Sequence, residues 1–416
     1  MRSRVWDDTM RVLILSFFYH PEPNDIKIHT LAKTLVERGH EVTAITTFPN
    51  YPDGVIYPGY KQKLWQREDK DGVRLIRVPL YPNHSRSSIK RALSYLSFMV
   101  SLAVLAPFLM GKRPHVMWVY HPPLTTGLAG WWVSLLRRVP FVYEIQDMWP
   151  ETLVSTGMFS NQRALRWVAA GAMFIYRRAA AITVNSPGFQ QNLIDKGVPA
   201  EKVHVALTWA DETIYRPVAR DAAVGAAHHL EGRFNVIFGG NMGLAQGLES
   251  VIKAAALLHD QPEIQFVFIG DGVALPELQA QVRERALTNI RFIERQPAEN
   301  MPQFFAWGDA LLVTLKDDPL FAITIPAKIT SYLACGRPIV CAVRGDGANL
   351  VQAAGAGIIC PPEDASALAK AIMSLYTMAR SEREALGAAG RQYFLAHFTH
   401  NTLIDRYEAL FEQIRR

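Results

Sequence analysis

The chain has 416 residues, of which 49% are hydrophobic, 20% are charged and only three are cysteines. This composition excludes a disordered chain, a collagen-like repeat and a disulfide-stabilised secreted scaffold, and the length predicts two or three domains. The 44 Lys and Arg exceed the 38 Asp and Glu by six, a modest excess that suits an anionic partner such as a nucleotide phosphate or an acidic lipid surface.

The first part of the chain alternates predicted strands and helices. Residues 1–10 have no apolar core or cleavage site and indicate no signal peptide. A nearly continuous apolar run at 11–18 predicts a parallel strand buried on both faces, and apolar residues then recur at helical spacing as far as Gly39. Further strands are predicted at 41–46, 73–78, 116–120, 141–145, 181–184 and 203–207. This pattern predicts a doubly wound α/β domain over residues 1–207.

A second series of strands follows a polar, Pro-containing stretch, which predicts a linker at 208–232. The strands of this series are predicted at 234–238, 264–269, 290–293, 310–314, 338–341 and 357–360, and a helical pair runs from Ala365 to the end. The predicted fold class is therefore α/β, with two Rossmann-like doubly wound domains that face a cleft. The second domain covers 233–396, and we expect a C-terminal helix at 397–416 to pack back on the first domain.

Residues 92–110 form a segment of 19 residues without a charge, bracketed by Lys90-Arg91 and Lys112-Arg113. A helix of this length approaches the thickness of a bilayer core. Pro107 and three serines lower its apolarity, and a sheet strand is predicted directly afterwards. We favour a helix packed on the sheet; a helix partly embedded in the membrane interface and a transmembrane span are the alternatives.

Two predicted strand-to-helix turns in the second domain have the residues of an anion site. The strand at 234–238 runs into the glycine-rich turn 239–243 (GGNMG), with a helix predicted from about Gln246, and such a turn lets backbone amides approach a phosphate. The second turn leads into Pro326 and Lys328 at the start of another helix. A lysine there opposes the helix dipole, so an anionic ligand explains it better than stability does. The alternatives are an ordinary tight turn and a lysine that extends to solvent.

Several segments together resemble the retaining glycosyltransferases of family 4, in the bacterial surface-polysaccharide branch that includes N-acetyl-L-fucosamine transferases. The likeness covers nearly the whole chain after residue 10. Residues 325–338 (IPAKITSYLACGRP) resemble the donor-binding helix of that family. The other segments that resemble it are 21–25 (PEPND), 48–52 (FPNYP), 147–151 (DMWPE), 268–272 (FIGDG) and 295–297 (RQP).

The resemblance implies a GT-B fold, in which the C-terminal domain holds a nucleotide-sugar and the N-terminal domain offers the acceptor. It implies that anomeric configuration is retained and that no metal or other cofactor is needed. The residues that it places by the donor are, for the phosphates, Gly240, Asn241, Gly243, Thr324 and Lys328, and, for the uracil base, Arg295 or Gln296.

The chain departs from the family at a pair of glutamates spaced E-x7-E, the later of which grips the ribose in many members. The corresponding residues here are Ile323 and Ser331. Ser331 could still bond a ribose hydroxyl, more weakly than a carboxylate would. Asp317 and Asp318 are close enough in sequence to replace the missing acid, or they form a solvated turn. Asn24-Asp25 likewise stand where many relatives have glycines.

Three residues of the first domain are candidates for catalysis. His121 ends the strand at 116–120, and in related enzymes a His near this place contacts the transferred sugar; the alternative is a structural His at a turn. Asp147 and Glu151 bracket Trp149-Pro150 beyond the strand at 141–145, and carboxylates there suit sugar hydroxyls and acceptor deprotonation. Glu151 could equally cap a helix N-terminus.

Two other motifs indicate no metal site. Asp69-Lys70-Asp71 matches the D-x-D that holds a metal in other glycosyltransferases, but it lies in a charged segment that predicts a solvated hairpin loop. The pair His228-His229 lies in the predicted linker without a partner at ligand spacing.

Together these features predict a metal-independent hexosyltransferase-type enzyme that moves a sugar, such as N-acetyl-L-fucosamine, from a UDP-sugar to a lipid-linked saccharide. The product would be a bacterial O-antigen, lipopolysaccharide or capsule. We expect the enzyme to be cytoplasmic and to have no nucleic-acid partner, and peripheral association with the inner membrane face through 92–110 is the alternative to a helix packed only on the sheet. A UDP-sugar epimerase on the same fold and a non-catalytic nucleotide-sugar-binding subunit are the alternatives.

Overall fold

The computed structural model describes residues 9–22, 26–85, 87–155 and 161–415. The chain divides into two compact units, one formed by 1–207 together with 403–416 and the other by 208–402. The segment 208–232, expected as a linker, belongs to the second unit and contains a helix. Pro23, Asn24 and Asp25, which complete the PEPND segment, lie outside the described residues.

The first unit is built on an eight-stranded sheet. Its strands are β1 (Arg11–Leu15), β2 (Glu41–Thr47), β3 (Gln66–Lys70), β4 (Val73–Val78), β5 (Val116–His121), β6 (Phe141–Ile145), β7 (Ala181–Val184) and β8 (Val203–Val205). In space they follow the order β3-β4-β2-β1-β5-β6-β7-β8, and every pair is parallel except β3–β4. The direction of winding reverses between β1 and β5. Sheets of this kind bind ligands at such a switch point, beyond the carboxyl ends of the strands.

Among the described residues, six α-helices lie between the strands of this sheet in chain order. They are α1 (Ile26–Glu37), α2 (Ser88–Leu109), α3 (Leu124–Arg137), α4 (Glu151–Ser155), α5 (Gln162–Arg178) and α6 (Pro187–Asp195). Helix α2, which contains the uncharged segment, contacts β2, β4 and α3. Its buried residues Ser94, Phe98, Leu102 and Ala106 recur every fourth position, so one side of the helix packs against the unit.

The second unit has a six-stranded, wholly parallel sheet. Its strands are β9 (Phe234–Gly239), β10 (Ile264–Ile269), β11 (Ile290–Ile293), β12 (Ala310–Thr314), β13 (Ile339–Ala342) and β14 (Gly357–Ile359). Their order is β11-β10-β9-β12-β13-β14, so the switch point of this sheet lies between β9 and β12. All six lie within one or two residues of their predicted positions.

Ten helices complete the chain. They are α7 (Ala222–His228), α8 (Glu249–Leu257), α9 (Leu275–Glu284), α10 (Met301–Trp307), α11 (Pro319–Ala322), α12 (Ala327–Cys335), α13 (Asp346–Ala353), α14 (Ala365–Thr377), α15 (Arg380–His397) and α16 (His400–Arg415). The last three replace the helical pair predicted after Ala365. From Leu403 onward α16 belongs to the first unit. There the Tyr407 hydroxyl donates to the buried Glu144 carboxylate at 2.8 Å, and Glu144 also pairs with Lys27 of α1 at 2.6 Å.

The hairpin predicted around Asp69-Lys70-Asp71 is present, but its loop is shorter than the sequence analysis predicted. Asp69 and Lys70 lie in β3, an edge strand antiparallel to β4, and only Asp71 lies in the turn that joins them. The strand was missed because it consists entirely of polar residues and has no apolar alternation. Asp71-Gly72, at φ 52° and 79°, is the two-residue hairpin signal that could have revealed it.

Candidate functional site

In the second unit the two predicted anion turns meet at the switch point of the sheet. The glycine-rich turn follows β9, and the segment that leads to Lys328 follows the adjacent strand β12. The turns are joined directly, since the Lys316 amide donates to the Ala245 carbonyl at 2.9 Å and the Thr314 hydroxyl donates to the Gln246 carbonyl at 2.6 Å. The two strand ends therefore form one continuous surface.

The glycine-rich turn offers only some of its amides to a ligand. Gly240, at φ 128°, adopts a conformation that favours glycine, and its amide donates to the Ile269 carbonyl at 2.9 Å. The Met242 amide donates to the Asp271 carbonyl at 2.7 Å. The amides of Asn241 and Gly243 have no acceptor among the described residues. These two are thus available to an anion, while Gly240 shapes the turn.

A second glycine segment fixes this turn from the side. Gly270 follows β10 at φ 140°, and a Cβ atom there would lie 2.1 Å from the Gly240 carbonyl oxygen. No other residue permits so close an approach of two backbones. The FIGDG segment therefore supports the glycine-rich turn by close packing.

Lys328 lies in the first turn of α12 and is directed inward. Its Nζ atom lies 3.0 Å from Oε1 of Gln246 and 3.5 Å from the centroid of the Phe238 ring, and it comes within 3.9 Å of a Cβ position built on Gly240. Desolvation lowers the pKa of Lys328 well below its ordinary value. The side chain does not extend to solvent, as the alternative interpretation required.

Gln246 and Tyr332 complete this arrangement and were missed by sequence reasoning. Gln246 lies in a short 3-10 helix, Leu244–Gln246, where an α-helix was predicted; α8 begins only at Glu249. Its amide oxygen holds the Lys328 ammonium in place. The buried Tyr332 hydroxyl accepts from the Gly239 amide at 2.9 Å and so fastens α12 to the end of β9. Tyr332 lies one turn after Lys328 on α12, which is the signal that could have found it.

The remaining predicted donor residues have local partners. The Thr324 hydroxyl donates to the Leu320 carbonyl at 2.8 Å, and Ser331 lies close enough to Tyr215 to influence the pKa of its hydroxyl. Ile323, at the other position of the missing glutamate pair, is half-buried. Arg295 is exposed beyond β11, and Gln296 beside it donates to the Glu294 carbonyl at 3.2 Å.

Asp317 and Asp318 are accounted for by structure. Asp317 pairs with Arg344 at 2.7 Å, and its amide donates to Glu363. The Asp318 carboxylate caps α11 by accepting from the Leu320 amide at 2.8 Å. These contacts agree with the turn interpretation, because each carboxylate already has a role in holding the loop after β12.

His121 is the last residue of β5, at the switch point of the first sheet. Its side chain is buried, and neither ring nitrogen has a hydrogen-bond partner among the described residues. The ring lies 5.2 Å from the Trp149 ring in an edge-to-face arrangement. Desolvation lowers the pKa of His121 to about 3, so the imidazole is neutral at physiological pH. A buried imidazole without partners is costly, and a ligand hydroxyl would satisfy it.

Asp147 and Glu151 differ in their surroundings. Burial raises the pKa of Asp147. Burial also raises the pKa of the nearby Tyr120, and the negative charge of Asp147 raises it further. A carboxyl with a raised pKa is suited to proton transfer. Glu151 opens α4 and forms an ion pair with Lys196, the residue that follows α6, while its Oε2 atom has no partner among the described residues. The helix-terminus alternative thus describes Glu151 well.

A further buried carboxylate organises the loops beside His121. Glu22 follows β1, the strand next to β5, and accepts hydrogen bonds from the amides of Asn50 at 2.7 Å, Tyr51 at 2.8 Å and Tyr19 at 3.3 Å. Burial raises the pKa of Glu22, and these amides partly offset the effect. Glu22 therefore joins the PEPND and FPNYP segments, which the sequence presented as separate motifs.

The described residues contain no group of three or more His, Cys, Asp or Glu side chains placed to hold a metal ion. In the D-x-D segment, Asp69 accepts from the Gly72 amide at 3.2 Å and Asp71 pairs with His29 at 2.8 Å. The three cysteines are free and buried.

Comparison with known proteins shows that each unit matches the model of a glycosyltransferase domain. Residues 27–209 match the model of the Glycosyl transferase 4-like domain, and residues 233–378 match that of the Glycosyl transferases group 1. The chain belongs to the family-4 glycosyltransferases of the GT-B fold. The chain is 28% identical to an Escherichia coli (strain K12) protein named for colanic acid biosynthesis glycosyl transfer. The match covers 79% of this chain and 82% of that protein.

Two further proteins are similar to this glycosyltransferase. A Pseudomonas aeruginosa protein that bears a glycosyltransferase name is 27% identical over 72% of this chain and 73% of its own length. The crystal structure of Anabaena HepE in complex with UDP and glucose superposes with a TM-score of 0.73, covering 97% of this chain and 99% of that one, at 19% identity. The latter likeness shows the fold.

Proposed function

We propose that this glycosyltransferase transfers a sugar from a UDP-linked donor, bound by the second unit, to a lipid-linked saccharide bound by the first unit. The pathway would be that of a bacterial surface polysaccharide. The observation that carries the proposal is the convergence of the glycine-rich turn and Lys328 at the switch point of the second sheet. The name of the E. coli relative and the UDP bound to HepE support it.

In this proposal the amides of Asn241 and Gly243, the N-terminus of α12 and Lys328 hold the donor diphosphate. Negative charge grows on the diphosphate as the bond to the sugar breaks, and preorganised donors stabilise that charge. Thr324 would contact the same phosphates, Arg295 or Gln296 the base, and Ser331 the ribose. These groups need no metal, so we propose a metal-independent reaction with retention of configuration.

In the first unit we propose that His121 bonds a hydroxyl of the transferred sugar as a neutral imidazole. Its ring has one donor and one acceptor nitrogen, and neither has a partner in the part of the chain that the structure describes. Asp147, whose pKa burial raises, is our candidate for contact with the acceptor hydroxyl. Glu151 would position α4 through its ion pair with Lys196.

The experiment is a screen of nucleotide-sugars with the purified full-length chain. We expect UDP-sugars, among them UDP-N-acetyl-L-fucosamine, to be turned over by slow hydrolysis without an acceptor and faster with a lipid-linked acceptor, in the presence of EDTA. GDP-mannose is the matched control for the base. NMR of the product would report the anomeric configuration.

Three outcomes would overturn parts of this proposal. An isomeric UDP-sugar as the product would indicate an epimerase, and binding without any turnover would indicate a non-catalytic subunit. Preference for GDP-mannose would reject the UDP assignment.

A further inference from the structure

The positive excess of the whole chain is concentrated in one segment of the first unit. Residues 72–143 contain nine Lys and Arg and no Asp or Glu. The rest of the chain has 35 Lys and Arg against all 38 Asp and Glu, which leaves it at −3. The basic segment includes α2 and α3. Such an asymmetry indicates attraction to an anionic partner.

Helix α2 presents an apolar side to the exterior. The exposed fraction of each of its outward side chains lies between 45% and 82%, for Ile89, Leu93, Leu96, Val100, Val104 and Phe108. These residues follow one another at helical spacing over about 28 Å of helix. The outward side of an ordinary surface helix carries charged residues, whereas this helix has none between Arg91 and Lys112. This exposed row of apolar side chains is therefore unusual for a helix at the surface of a soluble protein.

Helix α3 extends this surface. It packs beside α2, and its C-terminal part exposes Trp132, Leu135 and Leu136. Arg137 and Arg138 follow directly, and Arg138 is exposed. We call the outward sides of α2 and α3 together the α2–α3 face. It combines exposed apolar and aromatic side chains with basic residues, which is the composition of surfaces that lie at a membrane interface.

Basic residues stand at both ends of α2. Lys90 and Arg91 lie in the first turn, where a positive charge opposes the helix dipole and no acidic residue is present. Lys112 and Arg113 follow the last turn and are exposed. A helix that lies flat on a membrane places both of its ends at the headgroups, so both basic pairs would meet anionic lipid.

We propose that the α2–α3 face docks on an anionic lipid bilayer, with α2 lying in the plane of the interface. Helix α2 is the one helix of the described residues that is long and apolar enough to span a membrane by length and composition. A span would require Phe98 and Leu102 to leave the sheet against which they are buried. It would also separate β4 from β5, which belong to the same sheet. Docking in the plane preserves both.

This docking proposal rests on the proposed function only for the reason to dock, because an enzyme that uses a lipid-linked acceptor must reach the membrane surface. The surface itself is argued from the side chains of the first unit. The two can therefore fail separately.

The test is sedimentation of the full-length chain with vesicles. We expect it to partition to vesicles containing one-third phosphatidylglycerol at least tenfold more strongly than to pure phosphatidylcholine vesicles, and to be released by 0.5 M NaCl. Reversing two flanking charges with Lys90→Glu and Lys112→Glu should reduce partition to the anionic vesicles at least tenfold, since each basic residue contributes about fivefold. Leu93→Ser with Val100→Ser should cause a similar loss.

The matched control is Leu257→Ser with Leu395→Ser, which replaces two exposed leucines of the second unit and should leave partition unchanged. UDP affinity, measured on every variant, should stay within twofold of the unmodified chain and reports correct folding. Failure of the unmodified chain to bind UDP would contradict the proposed function and leave the docking result interpretable.

Several results would overturn the docking proposal. One is the absence of binding to anionic vesicles, and another is binding that the α2 variants do not change. A third is a chain that, when expressed in bacteria, stays in the membrane fraction after washing with alkaline carbonate, which would indicate a transmembrane span. Light scattering that shows a dimer lost on Leu93→Ser with Val100→Ser would assign the face to a second copy of the chain.

Discussion

In both units the candidate residues lie at the switch point of a doubly wound sheet, but one site has a neutral side chain and the other has a lysine. In the first unit the switch point has His121, a buried imidazole held neutral by a pKa of about 3. In the second it has Lys328, next to a turn whose Asn241 and Gly243 amides have no acceptor among the described residues. The sheet positions a site in both cases, and the side chains decide whether that site suits a neutral hydroxyl or an anion.

Burial lowers the pKa of both side chains, but the ligands proposed for them would affect their protonation differently. It lowers the pKa of the imidazole and of the ammonium, since it disfavours the charged form of each. A sugar hydroxyl brings no charge and would leave His121 neutral. A diphosphate brings negative charge and would raise the pKa of Lys328 again. The comparison therefore predicts that Lys328, and not His121, changes protonation when its site is filled.

The largest effect is expected from Lys328→Ala. Removing the ammonium takes away the one cation that lies beside the glycine-rich turn in the described structure. Loss of such a charge from a phosphate site costs about 3 kcal/mol, so we expect UDP affinity and the transfer rate to fall roughly 100-fold. Calorimetry with UDP and an initial-rate assay measure this. Lys253→Ala, at an exposed position of α8, is the control. Unchanged UDP affinity in Lys328→Ala would reject the diphosphate assignment.

A smaller effect is expected from His121→Ala. The loss of neutral hydrogen bonds to a sugar should lower the transfer rate about tenfold and leave UDP affinity within twofold. His259→Ala, on the surface of the second unit, is the control. Because the pKa of His121 is about 3, its protonation should not shape the rate between pH 5 and 9. A limb of the pH profile near 6.5 that His121→Asn abolishes would contradict the neutral role.

The smallest effect is a proton taken up when UDP binds. The pKa of free Lys328 is lowered by desolvation, and the bound diphosphate raises it, so the complex holds more protons than the free chain. Between these two pKa values we expect uptake of up to one proton, and UDP affinity that falls as the pH rises. Calorimetry in buffers of different ionisation enthalpy, repeated at a series of pH values below the ordinary pKa of lysine, counts the protons. Lys253→Ala should keep the uptake and Lys328→Met should lose it; equal uptake in both variants would assign the proton to another group.

Much of the fold could be predicted because its strands are buried on both faces. Short runs that are nearly all apolar, such as Ile264–Ile269 with its single Gln265, favour a buried parallel strand, and that strand was placed to the residue. The prediction failed where neighbours in space, rather than sequence period, decide structure. The polar strand Gln66–Lys70 forms because β4 offers a free edge, and the helix expected at Gln246 begins later because the turn is held by β12.

The candidate site was predicted in the same uneven way. Glycines and Lys328 were recognisable because their residue types oppose ordinary stability at those positions. Gln246, Tyr332 and Glu22 were not recognisable, because each acts on a residue that only folding brings near. Gln246 lies 82 positions from the lysine it holds, and Tyr332 lies 93 positions from the amide it meets.

The sequence by itself determined the α/β class, the two series of strands and the residue types of an anion turn, since these depend on local period and local chemistry. Only the tertiary structure decided that Lys328 is half-buried and directed inward, that His121 has no hydrogen-bond partner among the described residues, and that one side of α2 is buried while the other stays apolar and exposed. The physical reason is that desolvation depends on every atom packed around a group, and most of those atoms are distant in the chain.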